Sequence, residues 1–194
     1  VQILYAKNAK IYIAARNAEK ADYAIGYVKS KYPSSKGELV YLHLDLGDLT
    51  TVKASAQQFL KREKRLDVLW NNAGVMVPPQ GSKTKQGYEL QLGTNNVAPF
   101  LFTQLLTPLL IETAKTASRG SVRVVWVASS AAERFAPPGG VDIENLGYEK
   151  EDKSAWFKYG HSKAGNILHG SEYAKRYGGE GILSVVSLPT TFLC

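Results

Sequence analysis

The sequence predicts an α/β fold, a doubly wound parallel sheet covered by helices on both faces to give three layers. Two observations carry this. Short β-branched apolar runs alternate with longer windows of helical period along the whole chain, which is the pattern of successive βαβ units. At least one run, Val124–Ala128, is apolar at successive rather than alternate positions, as in a strand buried on both sides.

Taken in order, residues 1–8 read as the tail of a helix and 10–15 as a strand. A helix from Ala18 to Lys31 stops near Pro33, whose ring cannot continue it. Residues 38–45 form a strand. The next helix puts Val52, Ala56, Phe59 and Leu60 on one face, with Asp48 or Thr50 to cap its start. A strand at 66–71 enters a Gly/Pro-rich loop, and a long helical region runs from Tyr88 to Lys115. The strand at 121–128 ends in Ser129-Ser130. Residues 131–155, with Pro137-Pro138-Gly139-Gly140, are long for a connection, which marks a functional or partly disordered segment. Helix 156–177 and a strand at 182–188 follow. There is no repeat, linker or second domain, so 1–194 reads as one domain.

Composition excludes more than it assigns. The chain is 44% apolar and 21% charged, ordinary for a globular protein. Its one cysteine, Cys194, rules out an internal disulfide framework and a cysteine metal site and suits a reducing, cytoplasmic compartment. No uninterrupted apolar run reaches the roughly 18 residues of a membrane span. The net charge of +7 is spread out. Its densest cluster, Lys61-Arg62-Glu63-Lys64-Arg65, is broken by an acid at a helix end, where cations suit the macrodipole, so no nucleic-acid partner is expected. His43, His161 and His169 form no metal constellation, and Trp70, Trp126 and Trp156 read as packing residues.

The chemistry sits in four motifs. Tyr159 and Lys163 are four apart on a helix and share a face. A nearby ammonium favours phenolate over phenol and lowers the tyrosine pKa from about 10 toward working pH, which makes a tyrosine that can exchange a proton with a carbonyl or alcohol oxygen. The 121–128 strand delivers Ser130 at its carboxyl end, where open α/β sheets bind ligands. Leu66–Trp70 runs into Asn71-Asn72-Ala73-Gly74. Gly93-Thr94-Asn95-Asn96-Val97-Ala98-Pro99-Phe100 lies within the long helical region.

Together these motifs resemble the short-chain dehydrogenase/reductase family over essentially the whole chain. The branch they most resemble, through Ala14-Ala15-Arg16-Asn17, Leu44-Asp45-Leu46 and Lys158–Lys163, is the retinol-dehydrogenase-like and WW-domain-oxidoreductase-like one. The resemblance implies a Rossmann-like NAD(P)-binding domain and an NADP(H)-dependent oxidoreductase that interconverts an alcohol and a carbonyl on an apolar small molecule. It implies Tyr159 as general acid/base and Lys163 as its activator and ribose ligand. It also implies Ser130, rather than Ser129, as the carbonyl-orienting hydroxyl, and Asn95, with Asn96 competing, as holder of a relay water. Asn71 reads as structural, bonding between strands. The implied cofactor contacts are Arg16, Asp45, Leu46, Asn72, Ala73, Gly74, Tyr159, Lys163 and Pro189. Ala15 stands where NAD enzymes carry an acid and Arg16 follows, which favours NADP; the alternative is that Arg16 is an exposed strand-end residue and Asp45 a turn residue. No metal is implied, and copies would associate through the helices at 88–115 and 156–177.

The sequence departs from that family at both ends. The family's first strand and glycine-rich turn have no counterpart before Lys10. After Pro189 a Thr replaces the expected Gly, and the chain stops before the segment that forms a substrate lid. The expectation is an incomplete chain whose missing N-terminal part could hold a targeting or anchoring segment. A degenerate, non-catalytic homologue unable to hold a dinucleotide is the opposing reading.

Overall fold

The structure, a computed structural model, describes residues 1–188. Pro189, the one cofactor contact expected beyond them, lies outside the described residues. The elements follow in chain order: α1 (Gln2–Ala6), β1 (Lys10–Ala15), α2 (Ala18–Lys31), β2 (Glu38–His43), α3 (Leu49–Arg62) and β3 (Val68–Asn71). A short α4 (Leu90–Leu92) continues through a π turn, Gly93–Val97, into α5 (Ala98–Thr116). β4 (Arg123–Val127), α6 (Ala131–Phe135), α7 (Ala155–Tyr177) and β5 (Leu183–Ser187) complete the series.

Local chemistry explains the helix starts. Asn17 caps α2 by accepting from the Lys20 N–H at 2.8 Å. Asp48, rather than Thr50, caps α3 by accepting from the Thr50 N–H at 3.0 Å. Lys61 and Arg62 occupy the last turn of α3. The acid that follows, Glu63, accepts from Tyr12 at 2.6 Å and pairs with Lys10 at 2.7 Å, which ties the helix end to β1.

The strands form two parallel ladders, β1-β2 and β3-β4-β5, with Ile13 opposite Tyr41, Trp70 opposite Val125 and Val125 opposite Val185. Among the described residues no ladder joins them, so β1 and β3 each keep one edge without a described partner. A single core spans both. Leu42, Val52, Phe59, Leu69, Leu106, Leu110, Val124, Trp126 and Ile182 pack in one buried cluster. On the other face of β2, Leu39 joins Tyr5 and Val28 in a smaller cluster. Leu39 and Leu42 are three apart and therefore face opposite ways, so β2 is covered on both sides as expected.

The second ladder is not. Val68, Trp70, Leu183 and Val185, which share the Val125 face by register, are exposed, Trp70 to 56%. Trp156 is 45% exposed although its ring packs on Phe135 at 5.4 Å and Tyr159 at 6.2 Å, so of the three tryptophans only Trp126 is a buried packing residue. The Leu90–Thr116 helical stretch is long and apolar enough by composition to cross a membrane. Here it is a core helix, with Ala98, Phe102, Leu106 and Leu110 buried against the sheet. The 131–155 connection is ordered, with α6, a 3-10 turn at Ile143–Asn145, and Asn145 bonded to the backbone of Lys150 and Glu151.

Candidate active site

The carboxyl ends of β3 and β4 meet the middle of α7. Tyr159 and Lys163 are both buried there. The Lys163 Nζ lies 5.8 Å from the centre of the Tyr159 ring and donates to the Val127 carbonyl, at the end of β4, at 2.9 Å. Burial pulls Lys163 down to about 8, because taking an ammonium out of water disfavours its charge. Asn166, three residues further along the same helix, donates to the same Val127 carbonyl at 3.0 Å.

Ser130 follows β4 and starts α6. The two serines differ sharply. The Ser129 hydroxyl is buried and accepts from the Ala131 N–H at 3.2 Å, whereas Ser130 is exposed and its hydroxyl has no partner among the described residues. α6 lies directly on α7 at Gly160. A Cβ at Gly160 would stand 2.6 Å from the Ala131 carbonyl oxygen and 2.7 Å from the Phe135 Cβ. The glycine after Tyr159 is thus what lets the helix that begins at Ser130 approach the helix that carries the tyrosine.

Asn95 occupies the π turn and is buried. Its carboxamide accepts from the Val75 N–H at 2.8 Å and donates to the Val75 carbonyl and the Ser162 hydroxyl, both at 2.9 Å. Both amide hydrogens are therefore used to pin the 72–75 loop against α7. Asn96 instead donates to the Ser162 carbonyl at 2.7 Å. In the pinned loop Asn72, Ala73 and Gly74 are exposed. A Cβ on Gly74 would lie 2.8 Å from the Asn95 Oδ1 and 3.8 Å from the Lys163 Nζ, so this glycine opens onto the lysine. Asn71 bonds the α5 residue Thr103 at 2.9 Å, a correction to the strand-to-strand bond expected of it. The carboxamide reaches past its own sheet to the helix that covers it.

The remaining expected contacts sit at the carboxyl ends of β1 and β2. Arg16 is exposed and has no ion pair among the described residues. Asp45 accepts from the Gly47 N–H at 2.8 Å with one carboxylate oxygen, a turn bond, while Leu46 beside it is half-buried. His43 is exposed, with its Nδ1 at 3.1 Å from the Tyr41 hydroxyl. His169 stacks against Phe100 and Trp126, each ring centre 5.2 Å away, and burial lowers its pKa. Among the described residues no three His, Cys, Asp or Glu side chains gather as a metal site.

Two clamps were not foreseen. Gln91, fully buried, accepts from the Val77 N–H and donates to the Ala155 carbonyl, both at 3.0 Å, joining the loop after β3 to the start of α7. Lys158, buried beside Tyr159, pairs with Asp152, which also accepts from Gln80 at 2.6 Å. The signal for the first was present: Gln91 and Asn95 are four apart, polar residues on one face of an otherwise apolar helix.

Residues 1–140 match the family model of the short chain dehydrogenases. The chain belongs to that family. Short-chain dehydrogenase/reductases of Phomopsis amygdali and Emericella nidulans are 54% and 52% identical to it over 96% of its length. The chain spans 56% and 60% of those two relatives. Among solved structures, a Mycobacterium paratuberculosis protein covers all of the chain with a TM-score of 0.79 at 28% identity, the chain covering 63% of it. The RhlG/NADP active-site complex of Pseudomonas aeruginosa covers 98% with a TM-score of 0.70 at 26% identity, the chain covering 66% of it. The family fold is therefore the Rossmann-like αβα arrangement, and its members are oxidoreductases that use a nicotinamide cofactor.

Proposed function

We propose that this family member is an NADP(H)-dependent oxidoreductase that interconverts an alcohol and a carbonyl on an apolar small molecule. The observation that supports this best is the meeting of a phenol, a buried ammonium and an exposed, unengaged hydroxyl at the carboxyl end of β4: Tyr159, Lys163 and Ser130. The nicotinamide, when bound, supplies or takes up the hydride. The chain's own residues do the rest. Ser130 donates to the substrate oxygen and holds it. Tyr159 gives that oxygen a proton in reduction and removes it in oxidation. Lys163 directs the N–H bonds not used by Val127 to the nicotinamide ribose. Asn95 keeps the 72–75 loop in place, and the remaining lone pair of its Oδ1 is the acceptor for a relay water.

The residues present fit such a dinucleotide at both of its ends. Gly74 leaves the Lys163 ammonium approachable, and Asn72 and Ala73 border the adenosine ribose. Asp45 keeps one carboxylate oxygen for the adenine amine, with the Leu46 backbone beside it. Arg16 is exposed without an ion pair among the described residues, next to Ala15 where an acid would repel a 2′-phosphate. The NADP complex of the Pseudomonas relative supports use of a nicotinamide cofactor. The apolar substrate rests on the resemblance of Ala14–Asn17, Leu44–Leu46 and Lys158–Lys163 to the retinol-dehydrogenase-like branch.

Tyr159→Phe tests the reading. The ring still packs, but the transferable proton is gone, so turnover of an apolar ketone with NADPH is expected to fall by about 10²–10⁴ while NADPH affinity, read by calorimetric titration, changes little. Near-normal turnover in this variant would overturn the assignment.

A further inference from the structure

His161 stands two residues from Tyr159 and two from Lys163, almost half a turn around α7 from both, and nothing in the proposed chemistry uses it. It is only 2% exposed. Both of its ring nitrogens are engaged by one segment, the connection between α6 and α7. The Asp142 N–H donates to Nε2 at 3.1 Å, and the Tyr148 hydroxyl lies 2.5 Å from Nδ1. An Nε2 that accepts from a backbone N–H carries no proton, so the neutral imidazole carries its proton on Nδ1 and donates it to the Tyr148 oxygen. Tyr148 is itself buried, edge-on to the imidazole at 5.6 Å, and holds a left-handed backbone with φ of 61°. That conformation is unfavourable for a residue with a Cβ and persists only when its surroundings fix it.

The segment so held joins α6, whose start is Ser130, to the first turn of α7, which leads into Tyr159. We propose that His161 is a positioning residue, whose neutral Nδ1–H tautomer anchors the 136–153 segment to α7 and whose protonation releases it. The anchoring stands on the contacts alone; its bearing on turnover rests on the reading of Ser130 and Tyr159 above. A cationic ring would present Nε2–H to the Asp142 N–H, donor against donor, so the anchored segment and the imidazolium exclude each other.

The surrounding charges act in both directions. The Asp142 carboxylate, on the anchored segment, favours the cation, but burial outweighs it and holds His161 below its ordinary value. Tyr148 is kept protonated by burial and then by Glu89, which precedes α4, and Asp142. On α7 itself, Lys158 places its ammonium 4.9 Å above the Tyr148 ring and is paired with Asp152. The unfolded or released ring therefore takes up a proton more readily than the anchored one. The anchor is complete above the ordinary histidine pKa of about 6.5 and weakens as pH falls from there through the lowered value.

The test needs neither cofactor nor substrate, so its failure and the failure of the oxidoreductase reading can be told apart. Imidazole 15N spectra of the labelled protein report tautomer and titration, and hydrogen exchange of the Asp142 amide reports the anchor. Expected are the Nδ1–H form, titration below the ordinary histidine range, and Asp142 protection, corrected for intrinsic chemistry, that falls as the ring protonates. His161→Gln can accept from Asp142 and donate to Tyr148 without titrating; it should keep the protection and lose its pH dependence. His161→Phe should lower protection about tenfold or more at every pH. An Nε2–H tautomer in the parent, or a Gln variant with the parent's pH dependence, would overturn the proposal. Should the Phe variant fail to fold, the parent spectra and the Gln variant still decide.

Discussion

Replacing Gly160 with alanine should cost the protein no more than about 2 kcal/mol of stability and cripple it as a catalyst. The new methyl would stand 2.6 Å from the Ala131 carbonyl oxygen, 2.7 Å from the Phe135 Cβ and 2.8 Å from the Phe135 carbonyl carbon. None is the end of a flexible side chain, so α6 has to move as a body. Overpacking of this kind costs about 1–3 kcal/mol. Against it, alanine inside a helix is favoured over glycine by about 1 kcal/mol. The net destabilisation is therefore about 0–2 kcal/mol, a fall of up to about 1 M in a urea midpoint. The displacement falls on the helix that starts at Ser130, and a misplacement of about 1 Å between reacting groups can cost about 10²-fold in rate. Gly26 is the control: it lies in α2 with nothing within 4 Å of its missing Cβ, so Gly26→Ala should stabilise by about 0.5–1 kcal/mol and leave turnover untouched. Urea unfolding and ketone reduction on the same two variants supply the comparison. A Gly160→Ala enzyme with parental kcat would show that the approach of α6 to α7 does not set the Ser130–Tyr159 geometry.

Three further outcomes are expected. Arg16→Ala should weaken NADPH binding by about ten- to a hundredfold, from the loss of a charge-assisted contact of about 1.5–3 kcal/mol, and leave NADH nearly unchanged; equal affinities in the parent would refute the preference. Lys163→Met should abolish turnover yet raise stability near pH 7. The lysine is held at about 8 by burial, below its unfolded value, so between those values the unfolded chain binds more protons and stability rises with pH. Removing the buried charge should therefore be worth about 1–3 kcal/mol at neutral pH, seen as a rise in Tm that vanishes in alkaline buffer, and a fall in Tm would contradict it. Asn95→Ala strips the Val75 N–H and carbonyl and the Ser162 hydroxyl of a partner and should destabilise by about 2–3 kcal/mol, with faster amide exchange at Val75; parental exchange there would argue against the pin.

Much of this molecule is written locally. The bounds of α2 could be read from the residues because Pro33 follows it and its helical period is unbroken, and the α3 face of Val52, Ala56 and Phe59 is buried as its spacing implies. Tyr159 and Lys163 share a face in any α-helix, and Ser130 follows its strand by three residues whatever lies around it. What local chemistry could not supply is which groups meet across elements. The π turn at Gly93–Val97 sits inside a region that reads as plain helix, and it is the contact with Val75 and Ser162 that gives Asn95 its place. Asn71 turned to Thr103 rather than to a strand, since which neighbour a carboxamide finds depends on the packing of a helix far away in the chain.

The sequence by itself determined the alternation of strands and helices, the order of the motifs and the spacing that pairs a phenol with an ammonium, because each depends on residues within a turn or two of one another. Only the tertiary structure decided that Trp70 and Trp156 lie exposed, that Gly160 is the point where α6 meets α7, and that His161 is closed over by Asp142 and Tyr148. Burial, close approach and the tautomer of a ring are properties of what packs against a residue, and a chain's own period carries no record of its distant neighbours.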